Sequence, residues 1–366
     1  MEYKKYFLIG ILPIFLLFSC NDKKTENVED KKSEDIANNI KNANIDELVK
    51  KADKGDVEAQ IEAGKLYYNG TDGVNKDFAE AAHFFRMAAD QGNAEGQYRL
   101  GRMYSYGEGE KKNEEIAVRL FRKAAGQGYP HAQKALGYCF KDGSGIEKDQ
   151  DSANYWFDKA YPQIRKIAES GDPECEFLLG SCYECGSGVE QLYSEAVHWY
   201  RKAAEQGNKN AQCNLGACYY NGNGVEQSYL EAVEWYRKAA EQGHSWAQVN
   251  LGICYENGNG VEQSYTDAVC WYRKAAEQGH AIAQHCLGYS YSMGNGVEQS
   301  HTEAVRWYRK AAEQGEPNAQ NNLGSCYYYG YGVKQSDTEA KKWWEKAAAQ
   351  GNEYAIESLK IINGNY

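Results

Sequence analysis

Five glycines, Gly207, Gly243, Gly279, Gly315 and Gly351, stand 36 residues apart, and the segments they close are near-copies of one another. NKNAQCNLGACYYNGNGVEQSYLEAVEWYRKAAEQG fills 208–243, and AQVNLGICYENGNGVEQSYTDAVCWYRKAAEQG fills 247–279. A fixed period of this length specifies a stack of one supersecondary unit, each burying its apolar face against its neighbours. The 366 residues are therefore expected to form one quasi-linear body rather than several independent cores.

Within a repeat, Ala211, Leu215, Cys218 and Tyr219 recur at i, i+4, i+7 and i+8, the spacing of one helical stripe. Gly216 lies beside that stripe, where a missing side chain admits a neighbouring helix. Gly222 and Gly224 end the first helix and supply a tight connection. Ser228 and Glu231 then read as a capping box, repeated at Ser264…Asp267, Ser300…Glu303 and Ser336…Glu339. The second helix sets Ala232, Tyr236, Ala239 and Ala240 on one face, with Trp235 at its edge and Gly243 as the terminating C′ residue. Each unit is two antiparallel helices, and the chain as a whole is all-α.

The pattern A-x-x-x-L-G-x-x-Y-x-x-G-x-G-V followed by A-x-x-W-Y-x-x-A-A-x-x-G resembles the Sel1-like repeat family, relatives of the tetratricopeptide repeat. Tetratricopeptide units run 34 residues, and the longer Gly-rich connection favours the Sel1 type. The resemblance covers roughly residues 45–366. It implies an α-solenoid, a right-handed superhelix of about eight 36-residue helix-turn-helix repeats, that binds other proteins as a scaffold without a cofactor. Repeats are expected at Asp56–Gly92, Asn93–Gly128, Tyr129–Gly171, Asp172–Gly207, Asn208–Gly243, His244–Gly279, His280–Gly315 and Glu316–Gly351. Ile45–Gly55 reads as a lone second helix and Asn352–Tyr366 as a lone first helix, with Leu359-Lys360 in place of Leu-Gly.

Residues 1–19 combine Lys4 and Lys5 with an apolar run from Tyr6 to Phe18, the layout of a secretory signal. Pro13 and the shortness of the run argue against a membrane span. Leu17-Phe-Ser-Cys20 resembles a bacterial lipobox, which implies cleavage before Cys20 and lipid attachment to it. Multiple acyl chains would anchor the protein durably. An ordinary signal peptide or an uncleaved anchor is the plainer alternative. Residues 20–44 are charged and lack aromatics, so they are expected to be a disordered tether. Its root-mean-square reach would be roughly 25–30 Å. On these features the protein is expected in a bacterial cell envelope, lipid-anchored and either periplasm-facing or surface-exposed.

The net charge is −11, and without residues 1–19 it is −12 (39 basic, 51 acidic). A negative field disfavours nucleic acid and direct contact with anionic lipid, leaving the lipid anchor as the route to the membrane. The third repeat carries seven extra residues around DKAYPQIRKIAES. Pro162 argues there against one uninterrupted helix and for a bend in the array, the alternative being a tolerated surface insertion.

Cys139, Cys182, Cys218, Cys254 and Cys326 share one column of the repeat, too far apart in a stack to be bridged and better read as small buried hydrophobes. Cysteine-rich members of the family pair cysteines where a second helix meets the next first helix. Here Ala203 and Ala239 occupy the first of those sites, so that framework does not carry over. Cys182-x-x-Cys185 lacks the second pair or the His that a zinc site requires. Ser-x-x-Lys, Lys-Thr-Gly, His-Glu-x-x-His and Walker motifs are absent, which leaves a β-lactam hydrolase or other enzyme as the weakest reading.

Positions that vary between copies mark the expected binding face. They are the residue before the repeated Ala, the second after it, and the one following Leu-Gly. Phe177, Trp246, Val249, Ile253, Ile282, His285 and Tyr289 fill these columns with apolar or aromatic groups, the ingredients of a partner site on the concave face of such a superhelix. Partial burial against the adjacent repeat is the competing explanation. The partner is expected to be a protein or peptide. A glycan is the alternative, with Tyr219, Tyr220, Tyr255, Tyr289 and Tyr328 as stacking groups.

Overall fold

The computed structural model describes residues 44–70 and 74–362. The expected leader, Cys20 and nearly all of the expected tether lie outside the described residues. Every regular element among the described residues is a helix. α1 (44–53) precedes eight hairpins: α2 (Val57–Asn69) with α3 (Phe78–Asp90), and α4 (Ala94–Tyr106) with α5 (Glu114–Gly126). There follow α6 (Pro130–Asp142) with α7 (Gln150–Ala168), α8 (Pro173–Cys185) with α9 (Tyr193–Glu205), and α10 (Lys209–Asn221) with α11 (Tyr229–Glu241). The last are α12 (Ser245–Asn257) with α13 (Tyr265–Glu277), α14 (Ala281–Met293) with α15 (His301–Glu313), and α16 (Pro317–Tyr329) with α17 (Asp337–Ala348). A single helix, α18 (Glu353–Ile362), closes the series. The chain is an all-α solenoid in class. No helix among the described residues is long and apolar enough to cross a membrane.

Contacts divide the chain into two units. The smaller runs to Gly96 and includes Gly107–Lys111; the larger holds Gln97–Tyr106 and everything from Lys112 onward. The smaller unit packs Ala52, Ala59, Ala63 and Phe84 into its core. In the larger unit each second helix contacts the first helix of the next repeat, so one core passes into another without a break.

Local chemistry fixes the helix ends. Ser228 Oγ accepts from the Glu231 amide at 3.3 Å, as expected, but the capping box is only half formed. The Ser228 amide that Glu231 was to bind donates instead to the Tyr219 carbonyl at 3.0 Å, closing the interhelical loop. His244 and His280 serve as caps too: their Nδ1 atoms accept from the Ala247 and Ala283 amides at the starts of α12 and α14.

Two glycines make close stacking possible. A Cβ on Gly216 would stand 2.7 Å from the Tyr236 ring, so the hairpin closes only over a bare backbone. Gly224, at φ 72°, lies against the Tyr193 carbonyl at the first residue of the preceding second helix. Tryptophans reach backward as well: Trp271 packs on the core shared by α11 and α12, with Lys274 Nζ 3.9 Å above its ring. A buried polar seam completes the four successive junctions from α9–α10 to α15–α16. Gln212 donates to the Ala204 carbonyl at 3.0 Å and accepts from Gln242 at 2.7 Å, and Gln248, Gln284 and Gln320 repeat both bonds.

The third repeat departs from expectation. α7 runs unbroken through Pro162 for 19 residues, against 13 in most of its counterparts. Proline costs a helix the bond to the carbonyl four residues back. Here Pro162 and Asp158 are both exposed, so the lost bond falls on the solvent side of the helix. Seven residues are almost two helical turns, which keeps Ile164 and Ala168 on the buried face below Phe157 and Ala160.

The cysteine column is buried, at 8 % exposure or less, and the described cysteines are free thiols. Burial pushes Cys218 up to about 12 and Cys254 up to about 11, which suppresses thiolate chemistry. Among the described residues, no group of three or more His, Cys, Asp or Glu is placed to hold a metal ion.

Candidate binding face

Successive helical residues turn by about 100°, so the repeated Ala at 0° and Leu at about 40° define the buried side of each first helix. The residues at −1, +3, +6 and +10 from that Ala fall between about 240° and 300°, away from both neighbours. On α12 these are Trp246, Asn250, Ile253 and Asn257, and on α14 they are Ile282, Cys286, Tyr289 and Met293. Each is half-buried or exposed.

Two of the three sequence-derived columns lie on this stripe. Trp246 is 52 % exposed, Tyr289 43 % and Ile282 36 %. Ile253 is half-buried and leans on the core below it. The column at +2 does not belong. Val249 is 1 % exposed and packs with Ala268, Val269 and Tyr272, so its assignment to the face is corrected: it is a core residue. At about 200° it stands only about 60° from the glycine column at +5, where the second helix approaches most closely. Phe177 and His285 share that column and are half-buried. Phe177 stacks on Tyr200 with centroids 5.9 Å apart. His285 lies 5.9 Å from the Tyr308 ring, and its Nε2 is 3.1 Å from Asn322 Nδ2.

The residues that column analysis missed are Asn214, Asn250, Cys286 and Asn322, one position further along, and Met293 and Tyr329 at +10. The signal was present, because +3 falls within the open arc and +2 outside it. Asn214 donates to Tyr200 Oη at 3.2 Å, which ties the stripe to the ring beneath it. Burial lowers the pKa of both His280, beside Trp246, and His285, one turn before Tyr289, which disfavours the charged imidazolium on this face. The indole of Trp246 meets the His280 ring edge-on at 4.5 Å. Burial pushes the neighbouring Cys286 up to about 12, so it is a thiol rather than a nucleophile.

Charge separates the two ends of the chain. The four open positions on each of α10, α12, α14 and α16 include no Asp, Glu, Lys or Arg, although 25 % of the chain is charged. The same positions carry Glu58, Glu62 and Lys65 on α2, and Glu95, Arg99 and Arg102 on α4.

Paired helices repeated end to end, with a face built from the first helix of each pair, define an α-solenoid interaction protein. The Sel1 repeat pattern matches residues 57–93, 94–129, 130–161, 173–208, 209–244, 247–280, 281–316 and 317–352. The chain belongs to the Sel1 repeat family, whose members are in general protein-interaction scaffolds. It is similar to the crystal structure of a Sel1 repeat protein from Oxalobacter formigenes, at 32 % identity and a TM-score of 0.53, over 87 % of this chain and 89 % of that one. It is also similar to c5321, a protective antigen present in uropathogenic Escherichia coli strains displaying an SLR fold. That likeness has 31 % identity and a TM-score of 0.40, over 88 % of this chain and 83 % of that one. No curated protein matches the chain.

Proposed function

We propose that the chain is a non-enzymatic scaffold whose first-helix stripe on α10, α12, α14 and α16 receives a segment of a partner protein. The observation that carries this reading is the uncharged stripe in a chain of net charge −11. Exposed charge is the ordinary means of keeping a surface soluble, and its absence from a row containing Trp246, Ile282, Tyr289 and Met293 favours desolvation by a partner. Trp246 and Tyr289 are the anchors, since aromatic groups give large contact area at low cost in rotamer freedom. Lipidation at Cys20 would hold the scaffold on a membrane of a bacterial envelope. The basic, apolar and Ser-Cys order of residues 1–20 supports that part of the reading.

Photocrosslinking in cells tests the face. A crosslinker at Asn250 on the stripe should capture a discrete protein, and one at the exposed Glu234 of α11 should not. Equal yields from both positions, or capture from Glu234 alone, would remove the stripe as the binding face.

A further inference from the structure

The glutamine seam has one substitution in it. Where six other repeats use a Gln to donate to the Ala carbonyl eight residues earlier, the fourth repeat has Glu176. This side chain is buried, with 1 % exposure. Its Oε2 accepts from Gln206 Nε2 at 2.6 Å, doing what the glutamine Oε1 atoms do elsewhere. By analogy with those glutamines, Oε1 takes the position of the donating Nε2, for which the equivalent acceptor is the carbonyl of Ala168, eight residues earlier at the end of α7. An ionised carboxylate only accepts, whereas a carboxylic acid carries one O–H donor. We propose that Glu176 is held as the protonated acid, a stand-in for glutamine, and that its ionisation loosens the joint between α7 and α8.

The groups around it bear on this directly. From α9, Lys202 Nζ lies 4.0 Å from Oε1 and His198 is the next basic group, and both favour the carboxylate. Lys202 is also drawn to the Trp199 ring, 4.3 Å away. Within the fourth repeat itself, Asp172 opposes ionisation, with its side chain committed to capping α8 through the Cys175 amide. From α7, Arg165 and Glu169 pair with each other at 2.8 Å on the exposed side. From α6, Lys134 donates to the Leu178 carbonyl at 3.0 Å, and from the start of the fifth repeat Asn208 donates to the Pro173 carbonyl at 3.2 Å. Burial outweighs Lys202 and Gln206, and the Glu176 pKa is raised.

A carboxyl whose folded pKa lies above its unfolded one stabilises the fold fully below the unfolded value, about 4.3 for Glu. That contribution is lost as pH rises through the folded value. The joint is therefore tight in acid and loosens as pH rises through that folded value. It lies where the array also changes register, so loosening would free the repeats before α8 to move against those after it.

The test compares the full chain with Glu176→Gln, which supplies the same donor at every pH. Amide exchange across residues 164–179, corrected for intrinsic rates, should be about three- to tenfold faster in the unaltered chain at pH 8, the worth of one hydrogen bond. The two proteins should converge at pH 5. Carbon-13 titration of the Glu176 carboxyl in the unaltered chain should show a midpoint above those of the exposed glutamates. This second readout decides the matter if Glu176→Gln folds poorly. Equal exchange at pH 8, faster exchange in Glu176→Gln, or a carboxyl titrating with the exposed glutamates would overturn the proposal.

Discussion

Gly188 lies against the backbone carbonyl of Phe157, the eighth residue of α7. Its equivalents Gly224, Gly260, Gly296 and Gly332 meet Tyr193, Tyr229, Tyr265 and His301, each the first residue of its helix. The fourth hairpin therefore docks seven residues further along its neighbour, about 10 Å at 1.5 Å per residue. Because seven residues nearly complete two turns, the hairpin finds the same face of α7 and the core continues. Leu179, Cys175 and Cys182 pack on Ile164 and Ala168 as their counterparts pack on alanines.

The extension of α7 carries both a cost and a gain that can be separated. Pro162→Ala would restore a backbone bond on the exposed side and is expected to stabilise the chain by about 1–3 kcal/mol. Ile164→Ala would empty a fully buried site and should cost about 2–5 kcal/mol. Urea unfolding of the two variants checks both signs, and destabilisation by Pro162→Ala would mean that the helix depends on the proline.

Helix ends and the hairpin plan were legible in the sequence because each rests on local chemistry: Gly243 terminates, Ser228 caps, and Ala-x-x-x-Leu-Gly lays down one stripe. What failed was information held by neighbours. Val249 varies between copies as a surface residue would, yet Tyr272 and Val269 cover it. Pro162 signals a break by itself, and only the exposure of Asp158 makes it tolerable. The reciprocal half of the capping box was lost to Tyr219, nine residues away, through a bond that no local motif announces.

The corrected face makes a distinction that binding assays can read. Trp246→Ala combined with Tyr289→Ala should weaken capture of the partner at least tenfold, since anchor residues each contribute about 2 kcal/mol or more. The melting temperature should stay nearly unchanged. Val249→Ala should do the reverse, costing about 2 kcal/mol of stability with little direct effect on affinity. Loss of binding in Val249→Ala at full stability would return that residue to the face.

Thiol chemistry should follow burial. With a disulfide reagent at pH 8, Cys185 and Cys270, the two exposed thiols among the described residues, should react first. Cys218, Cys213 and Cys254 should wait for unfolding. Their pKa values are raised to about 11–12 by burial, against about 8.5 for an unfolded thiol. Their contribution to stability is therefore complete below pH about 8.5 and declines as pH rises toward 12. Alkaline titration followed by circular dichroism should show stability falling in that window, and flat stability would count against the burial of these thiols.

Gly216→Ala would force a Cβ to 2.7 Å from the Tyr236 ring and should destabilise by about 1–3 kcal/mol. Gly243, with φ 79° and open space around it, should tolerate alanine at only about 1–2 kcal/mol of backbone strain. Denaturant midpoints of the two variants make the comparison.

Hydrogen exchange after a single lesion reaches the centre of the account, which is that adjacent hairpins share their cores. Leu251→Ala in α12 should raise exchange across α12 and α13 most, across α10, α11, α14 and α15 less, and in α8 and α17 least. Faster exchange confined to α12 and α13, with both flanking hairpins untouched, would show independent units and contradict the shared core on which the binding face is built.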